Sequence, residues 1–413
     1  MAKITPFKGL RPVKNLAAEV ATLPYDVVSV EEAREFRKQP YNFYHITRSE
    51  IDLPDNVDVH SQQVYERAKE NLEAMVHDKV LIQDNDPCYY IYELVMNGRS
   101  QTGLVCGSSI EDYNNGIIKK HEFTRPEKEL DRINHITVTG AQTGIVFLAY
   151  NDCANVQDII AEWKQEHDPE YDFTAADGVR HIFWVINDYA KAALITHYFA
   201  QEVPCTYIAD GHHRAASAAK VCKDMRDNGL SVDGEESFNY FVTCIFPASQ
   251  LEIMDYNRVV KDLNGMSPEL FIEKLQGDFT VSKLGGDAFK PAQPHEIGMY
   301  INKSWYKLVA KDGSYMNDPI GVLDVSILQN NVLDKLLAIR DPRVDKRVDF
   351  VGGIRGMDAL QKRVDSGDVA AAFSLFPVSI KQLFDIADSG NVMPPKSTWF
   401  EPKLRDGLVV YTV

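Results

Sequence analysis

Cysteine is sparse in this sequence and patternless. Six of the 413 residues are Cys (88, 106, 153, 205, 222 and 244), with no CxxC pair and no zinc-like spacing. That excludes a disulfide-stapled scaffold and a zinc ribbon, and fits thiols kept reduced in a cytosol. The opening residues lack the apolar stretch of a secretory leader, so none is expected. No apolar run approaches the ~18 residues that a spanning helix needs. Basic residues are outnumbered, 44 against 60 acidic, for a net charge of −16. So acidic a surface argues against broad binding to nucleic acid or an anionic membrane, which needs clustered Lys and Arg. Neither a Walker loop nor GxGxxG occurs. What is present is ordinary: 45% hydrophobic and 25% charged residues rule out wholesale disorder and rod-like folds. We expect a cytoplasmic protein of two or three domains, with no membrane or nucleic-acid partner; a homo-oligomer is compatible with the composition.

The pattern along the chain mixes helix and strand. Ser29 followed by Glu32 is a capping-box start and predicts a helix over 30–38. Val64, Ala68, Leu72 and Met75 mark one face of a helix within 57–78. Two apolar runs flank Asn97-Gly98 and predict a hairpin. Thr124 with Glu127 suggests another capping box, with Pro126 tolerated in the first turn. A short strand over 203–209 should run into Asp210-Gly211-His212-His213-Arg214, followed by an alanine-rich helix from Ala215 to Met225. The alternation is not a clean βαβ series, so the fold class is α+β.

Three polar clusters stand out. In Asp210-Gly211-His212-His213-Arg214, the glycine allows a tight turn and close ligand approach. The helix N-terminus offers N–H groups and the positive end of the dipole to an anion. Arg214 can grip a phosphate or carboxylate with two parallel bonds, and Asp210 suits an ammonium, a metal ion or a hydroxyl proton. In Lys119-Lys120-His121-Glu122, with Arg125, one carboxylate sits among cations that favour its ionised form, the state a general base needs. Read alone, this pattern is more often a solvated surface turn. In Met393-Pro394-Pro395-Lys396-Ser397-Thr398, a stiff loop presents one cation and two hydroxyls. Weaker candidates are the turn at Thr139-Gly140 as a phosphate contact, the glycine-rich 352–356, and Tyr25-Asp26 beside Pro24. The remaining histidines show no metal spacing.

The Asp210–Arg214 cluster after an apolar strand resembles the signature of the ParB/sulfiredoxin-like superfamily, in the form found in free L-serine kinases. His121-Glu122 and Pro395-Lys396-Ser397-Thr398 resemble two further motifs of those kinases, in the same order. The whole chain also resembles a long bacterial family with PYDVVS near the start and MPPKSTWFEPKL near the end. It departs from the kinases in its greater length, in Ala215 where they have Trp, and in Trp399 where they have Arg. The resemblance implies a ParB/sulfiredoxin-like core over 111–260, with an insertion at about 146–200. A 1–110 α/β extension would precede it, and a 261–413 region would complete the active site. It implies phosphorylation of free L-serine to O-phosphoserine, with Glu122 as general base and Asp210 also catalytic. Gly211, His212, His213, Arg214, Thr139 and Gly140 would bind the nucleotide phosphates. His121, Lys396, Ser397 and Thr398 would bind the substrate. ATP or ADP would be the donor, with pyrophosphate open, and Mg²⁺ would assist, with Asp210 a candidate contact. The alternative is a nucleotide-binding regulatory protein without turnover.

Overall fold

The aromatic run Tyr89–Met96 (β2) pairs with Arg99–Ser109 (β3) through Asn97 and Gly98, whose φ values of 53° and 77° are those of the tight hairpin the sequence predicted. This is a computed structural model, and it describes residues 1–230 and 233–413. The hairpin lies inside a nine-stranded mixed sheet. Its other strands are Ile4–Thr5 (β1), Ile118–Lys119 (β4), Val146–Tyr150 (β5), Tyr171–Thr174 (β6), Arg180–Ile186 (β7), Thr206–Asp210 (β8) and Tyr240–Pro247 (β9). The order is β4-β8-β5-β9-β3-β2-β7-β6, with β1 on β3. β8 runs parallel to β4 and antiparallel to β5.

Contacts divide the chain into two units. The first comprises Met1–Lys120, Thr124–Leu251 and Pro402–Val413; the second comprises His121–Phe123 and Glu252–Glu401. In the first, helices Gln62–His77 (α1), Pro126–Thr139 (α2), Ala154–Glu166 (α3), Tyr189–Glu202 (α4) and His212–Asp227 (α5) accompany the sheet. One core cluster joins sheet residues such as Ile91, Leu104 and Leu148 to Ile160 and Trp163 of α3, Phe199 of α4, and Ala215, Ala218 and Cys222 of α5. The C-terminal segment is stitched to the N-terminal one. Leu10 and Val410 exchange backbone hydrogen bonds at 3.0 and 2.8 Å, and Thr22 and Asp406 do so at 3.1 and 3.0 Å.

The second unit carries a six-stranded antiparallel sheet: Tyr256–Val260 (β10), Phe279–Gly285 (β11), Glu296–Ile301 (β12), Ser304–Ala310 (β13), Val348–Gly352 (β14) and Ala371–Leu375 (β15), in the order β11-β13-β12-β15-β10-β14. Its core gathers Val259, Tyr300, Trp305, Val351, Leu360 and Ala372. The chain is therefore α+β, as the sequence indicated.

Local signals fared unevenly. Ser29 and Glu32 form the complete capping box, but the helix stops at Arg34. α1 begins at Gln62 and buries the predicted Val64, Ala68, Leu72 and Met75. The Thr124–Glu127 box does not form: Arg125 is the N-cap, Pro126 takes the first helical position, and the Thr124 hydroxyl bonds Glu129. Glu129 is the better partner because Lys220 and Thr124 together offset the burial of its carboxyl and hold its pKa below the usual value. All six cysteines are free thiols, five of them buried. Among the described residues no helix is long and apolar enough to cross a membrane.

Candidate functional site

β8 loses register between Ile208 and Asp210 just before it ends, an irregularity that re-aims side chains at a strand terminus. Gly211 follows with φ 96°, a left-handed conformation, and caps the start of α5. The turn needs glycine: a Cβ there would lie 3.2 Å from the Arg214 guanidinium and 3.4 Å from the Val146 Cα. α5 then buries Ala215, Ala216 and Ala218, small residues that let it seat closely. Its Ser217 Oγ lies 3.0 Å from the Glu129 carbonyl of α2. The strand–turn–helix placement read from the sequence holds, and the first N–H groups of α5 belong to His212, His213 and Arg214.

The five residues face different surroundings. Arg214 is buried and donates through Nη1 to the Ile145 carbonyl. Its Nη2 lies 3.7 Å from carboxylate oxygens of both Asp26 and Asp210. Burial works against its charge, but Asp26, Asp210 and Asp406 outweigh burial and hold its pKa above the ordinary value. Asp210 is about one-third exposed and meets the Lys403 ammonium at 3.1 Å. Asp406 is buried, and burial pushes its carboxyl up to about 7, with Asp26 adding and Arg214 and Arg132 opposing. His212 is buried and its pKa falls to about 3, chiefly by desolvation, so its imidazole is neutral. His213 accepts the Arg125 N–H at Nε2, at 3.0 Å, so a proton on that imidazole belongs at Nδ1. Beside them the Arg132 guanidinium sits 3.9 Å from the Tyr25 ring centre, and burial raises the Tyr25 phenol to about 12.

In the second unit the structure brings together two clusters that lie far apart in the sequence. Met393 donates its N–H to the His121 carbonyl at 2.8 Å, and Thr398 Oγ1 lies 3.5 Å from His121 Nε2. His121 is buried; Glu122 is half-buried in a bend. The loop that meets them is tightly built. Ser397 Oγ donates to the Pro394 carbonyl at 2.6 Å. Lys396 holds a left-handed φ of 58°, which is uncommon for a side chain of its kind. Arg258 of β10, fully buried, donates to the Pro395 carbonyl at 3.1 Å. Its charge sits 5.0 Å from the Phe350 ring centre, and burial lowers its pKa to about 10. Lys396 Nζ is 5.9 Å from the Tyr256 ring centre, and Trp399 meets the same ring edge-on at 4.9 Å.

Other candidates have other settings. Thr139 and Gly140 close the C-terminus of α2, where Thr139 Oγ1 donates to the His135 carbonyl at 2.6 Å. That helix end presents carbonyls, the negative pole. Gly353 donates its N–H to the Asp255 carbonyl at 2.7 Å and opens a short 3₁₀ turn before Gly356–Asp365. No cluster of three or more His, Cys, Asp or Glu able to hold a metal occurs among the described residues. Asp210 is already neutralised by Lys403 and Arg214, so a resident metal ion does not fit there. The sequence reading gave no role to Lys403, Asp406 or Arg258. Asp26 was noticed, but only as equal in weight to a chain turn at Pro24.

Residues 4–326 match the family described as protein of unknown function (DUF1015), and the chain belongs to that family. No curated protein matches it. Among solved structures, it is similar to a variant of a free serine kinase in complex with AMP, at 11% identity and TM-score 0.38, covering 74% of this chain and 91% of that one. It is similar to a conserved hypothetical protein from Pyrococcus furiosus at 13% identity and TM-score 0.36, covering 74% and 94%. It is similar also to SbnI with C-terminal truncation from Staphylococcus aureus at 11% identity and TM-score 0.39, covering 74% and 86%.

Proposed function

We propose that this DUF1015 member is a phosphotransferase that phosphorylates the hydroxyl of free L-serine, or a close small hydroxy-amine, to O-phosphoserine. The observation that carries the reading is the fastening of the His121-Glu122 segment to the Lys396–Thr398 loop within one unit. A base, a cation and hydroxyls are what a small hydroxy amino acid acceptor requires. The resemblance of these two motifs and of Asp210–Arg214 to those of free L-serine kinases supports the same assignment, and a free serine kinase bound to AMP stands among the similar structures.

Glu122 takes the proton of the acceptor hydroxyl as that oxygen bonds to the terminal phosphorus of the donor. The bond from that phosphorus to its bridging oxygen breaks, and the leaving nucleotide keeps the electron pair; Glu122 then returns its proton to solvent. Charge spreads over the transferred oxygens, so catalysis is chiefly positioning and electrostatic stabilisation. The α5 N-terminus with Gly211, His212, His213 and Arg214 is assigned to the donor phosphates. Asp210, ion-paired to Lys403, is assigned to orienting the nucleophile. His121, Lys396, Ser397 and Thr398 are assigned to the acceptor. ATP or ADP is the donor, and Mg²⁺ arrives with its phosphates as part of the substrate. Thr139 and Gly140, at a helix C-terminus, receive no role.

The test mixes purified protein with L-serine, Mg²⁺ and ATP, ADP or pyrophosphate in parallel, followed by phosphorus NMR. O-phosphoserine formed with one donor and lost in Glu122→Gln, with nucleotide affinity retained, is the expected result. Nucleotide binding without product from any donor would overturn the reading in favour of a regulatory nucleotide binder.

A further inference from the structure

The second unit carries an open pocket of about 300 Å³ whose lining includes Met316, Ile320 and Pro394 and the polar Asp318, Ser326 and Gln329. We infer that this cavity binds the adenine base of the nucleotide, an inference that rests on the nucleotide-dependent reading above.

Three observations point to a ligand. Ser326 is 3% exposed, yet its Oγ has no hydrogen-bond partner in the protein. A buried hydroxyl without a partner is costly, and a ligand in the cavity would remove that cost. Gln329 begins a π-helical turn, Gln329–Asp334, that interrupts the continuation of helix Asp324–Leu328; such turns are frequent at functional sites. Pro394, in the wall, lies two residues before Lys396 and so at the start of the loop that carries Lys396, Ser397 and Thr398.

The lining selects the ligand class. None of the eight lining residues is cationic and one is a carboxylate, so a phosphate is disfavoured inside and an N–H-bearing heterocycle is favoured. Asp318 Oδ1 already accepts the Ile320 and Gly321 N–H groups at 3.0 and 2.8 Å, fixing that wall. Gln329 donates through Nε2 to the Ile339 carbonyl at 2.9 Å, which leaves Oε1 as acceptor for an exocyclic amine. Ser326 Oγ can donate to a ring nitrogen. The Met316 thioether, Ile320 and Pro394 offer the polarizable and aliphatic surfaces that heteroaromatic rings pack against. The volume lies at the lower limit of small-molecule sites, enough for a base and not for a whole nucleotide. The charged remainder of the nucleotide then lies outside the pocket.

The experiment uses the full chain and adenosine, which has no phosphate. Affinity is measured by titration calorimetry, and 8-azidoadenosine is photo-crosslinked and its peptides mapped. Labelling within 316–330 is expected. So is a loss of about 10-fold or more in adenosine affinity in Ser326→Leu, which fills the cavity. Met316 is 68% exposed, so Met316→Ala serves as the variant that keeps the fold, with a several-fold loss expected. No adenosine binding, labelling elsewhere, or unchanged affinity in folded Met316→Ala and Ser326→Leu would overturn the assignment. O-phosphoserine formation with labelling elsewhere would sink the base site alone. Labelling in the cavity without any product would sink the kinase reading alone.

Discussion

Thr398 and His121 are separated by 277 residues, and the hydroxyl of one lies 3.5 Å from Nε2 of the other. The contact is at the long limit of a hydrogen bond, whereas the Met393 N–H to the His121 carbonyl spans 2.8 Å. The backbone bond is therefore the stronger link between the two segments, and the side-chain contact adds to it. Thr398→Val removes the hydroxyl and keeps the shape. We expect a stability loss of about 0.5–1 kcal/mol in urea denaturation, with the fold retained. Under the proposed reaction the KM for serine should rise several-fold while kcat changes less. Equal loss in both would place Thr398 with the transferring group instead.

Gly211 is the position with least room for change. Its φ of 96° penalises any side chain, and a Cβ would press on both the Arg214 guanidinium and the Val146 backbone. Gly211→Ala should cost about 1–2 kcal/mol from the left-handed backbone alone, with crowding adding to it. Thermal unfolding would register a drop of several degrees. A melting point unchanged from the parent would show that the turn relaxes and that Arg214 is not locked.

Buried ionisable groups give opposing pH effects. Asp406 and Asp324 are both raised to about 7, chiefly by burial. Between about pH 4 and 7 the unfolded chain releases these protons while the folded chain keeps them, so their contribution falls as pH rises through that window. His135, His181 and His212 are pushed down to about 4, 3 and 3 by burial. For them the unfolded chain gains protons first on acidification, so stability is lost as pH falls below about 6.5. Asp406→Asn isolates one of these groups. Asp26 faces it, as do Arg214 and Arg132, whose charges are constant across this range. The denaturation midpoint of the variant should gain on the parent steadily from pH 4.5 to 7.5 and level off above. A gap independent of pH would mean that Asp406 does not titrate with folding.

What could be read from the sequence was whatever is local. The strand, the glycine and the alanine-rich helix around Asp210–Arg214 announce themselves within twenty-odd residues, and so does the Asn97-Gly98 hairpin. The surroundings of Arg214 could not be read this way. Asp26 and Asp406 come to it from the two ends of the chain, and Lys403 reaches Asp210 across 193 residues. No periodicity encodes such pairing. The Thr124–Glu127 capping box failed because the threonine hydroxyl goes instead to Glu129, a carboxylate that Lys220 of another helix holds in place. The cavity at Ser326 left no trace, since a buried serine in an apolar run reads as a packed helix.

Arg258 poses a question of magnitude. It is a buried cation set among carbonyls and rings: it donates to the Tyr256 carbonyl and, at 3.1 Å, to that of Pro395, beside Phe350. Burying a charge in this way costs several kcal/mol, part of which the two hydrogen bonds and the ring contact return. Replacing it by methionine, of similar length, removes the desolvation cost but leaves two carbonyls without a donor, each about 1–3 kcal/mol if water stays out. The two effects are of the same size and opposite sign. We therefore expect Arg258→Met to change global stability by no more than about 1 kcal/mol. The local effect should be larger, because Pro395 loses its tether and Lys396 holds an unfavourable φ of 58° that will relax once released. Hydrogen exchange at Lys396, Ser397 and Thr398 should then speed up about tenfold or more, which corresponds to some 1.4 kcal/mol of local opening. Exchange at those amides that matches the parent would show that Ser397 and Met393 suffice to hold the loop, and that the buried charge serves some other end.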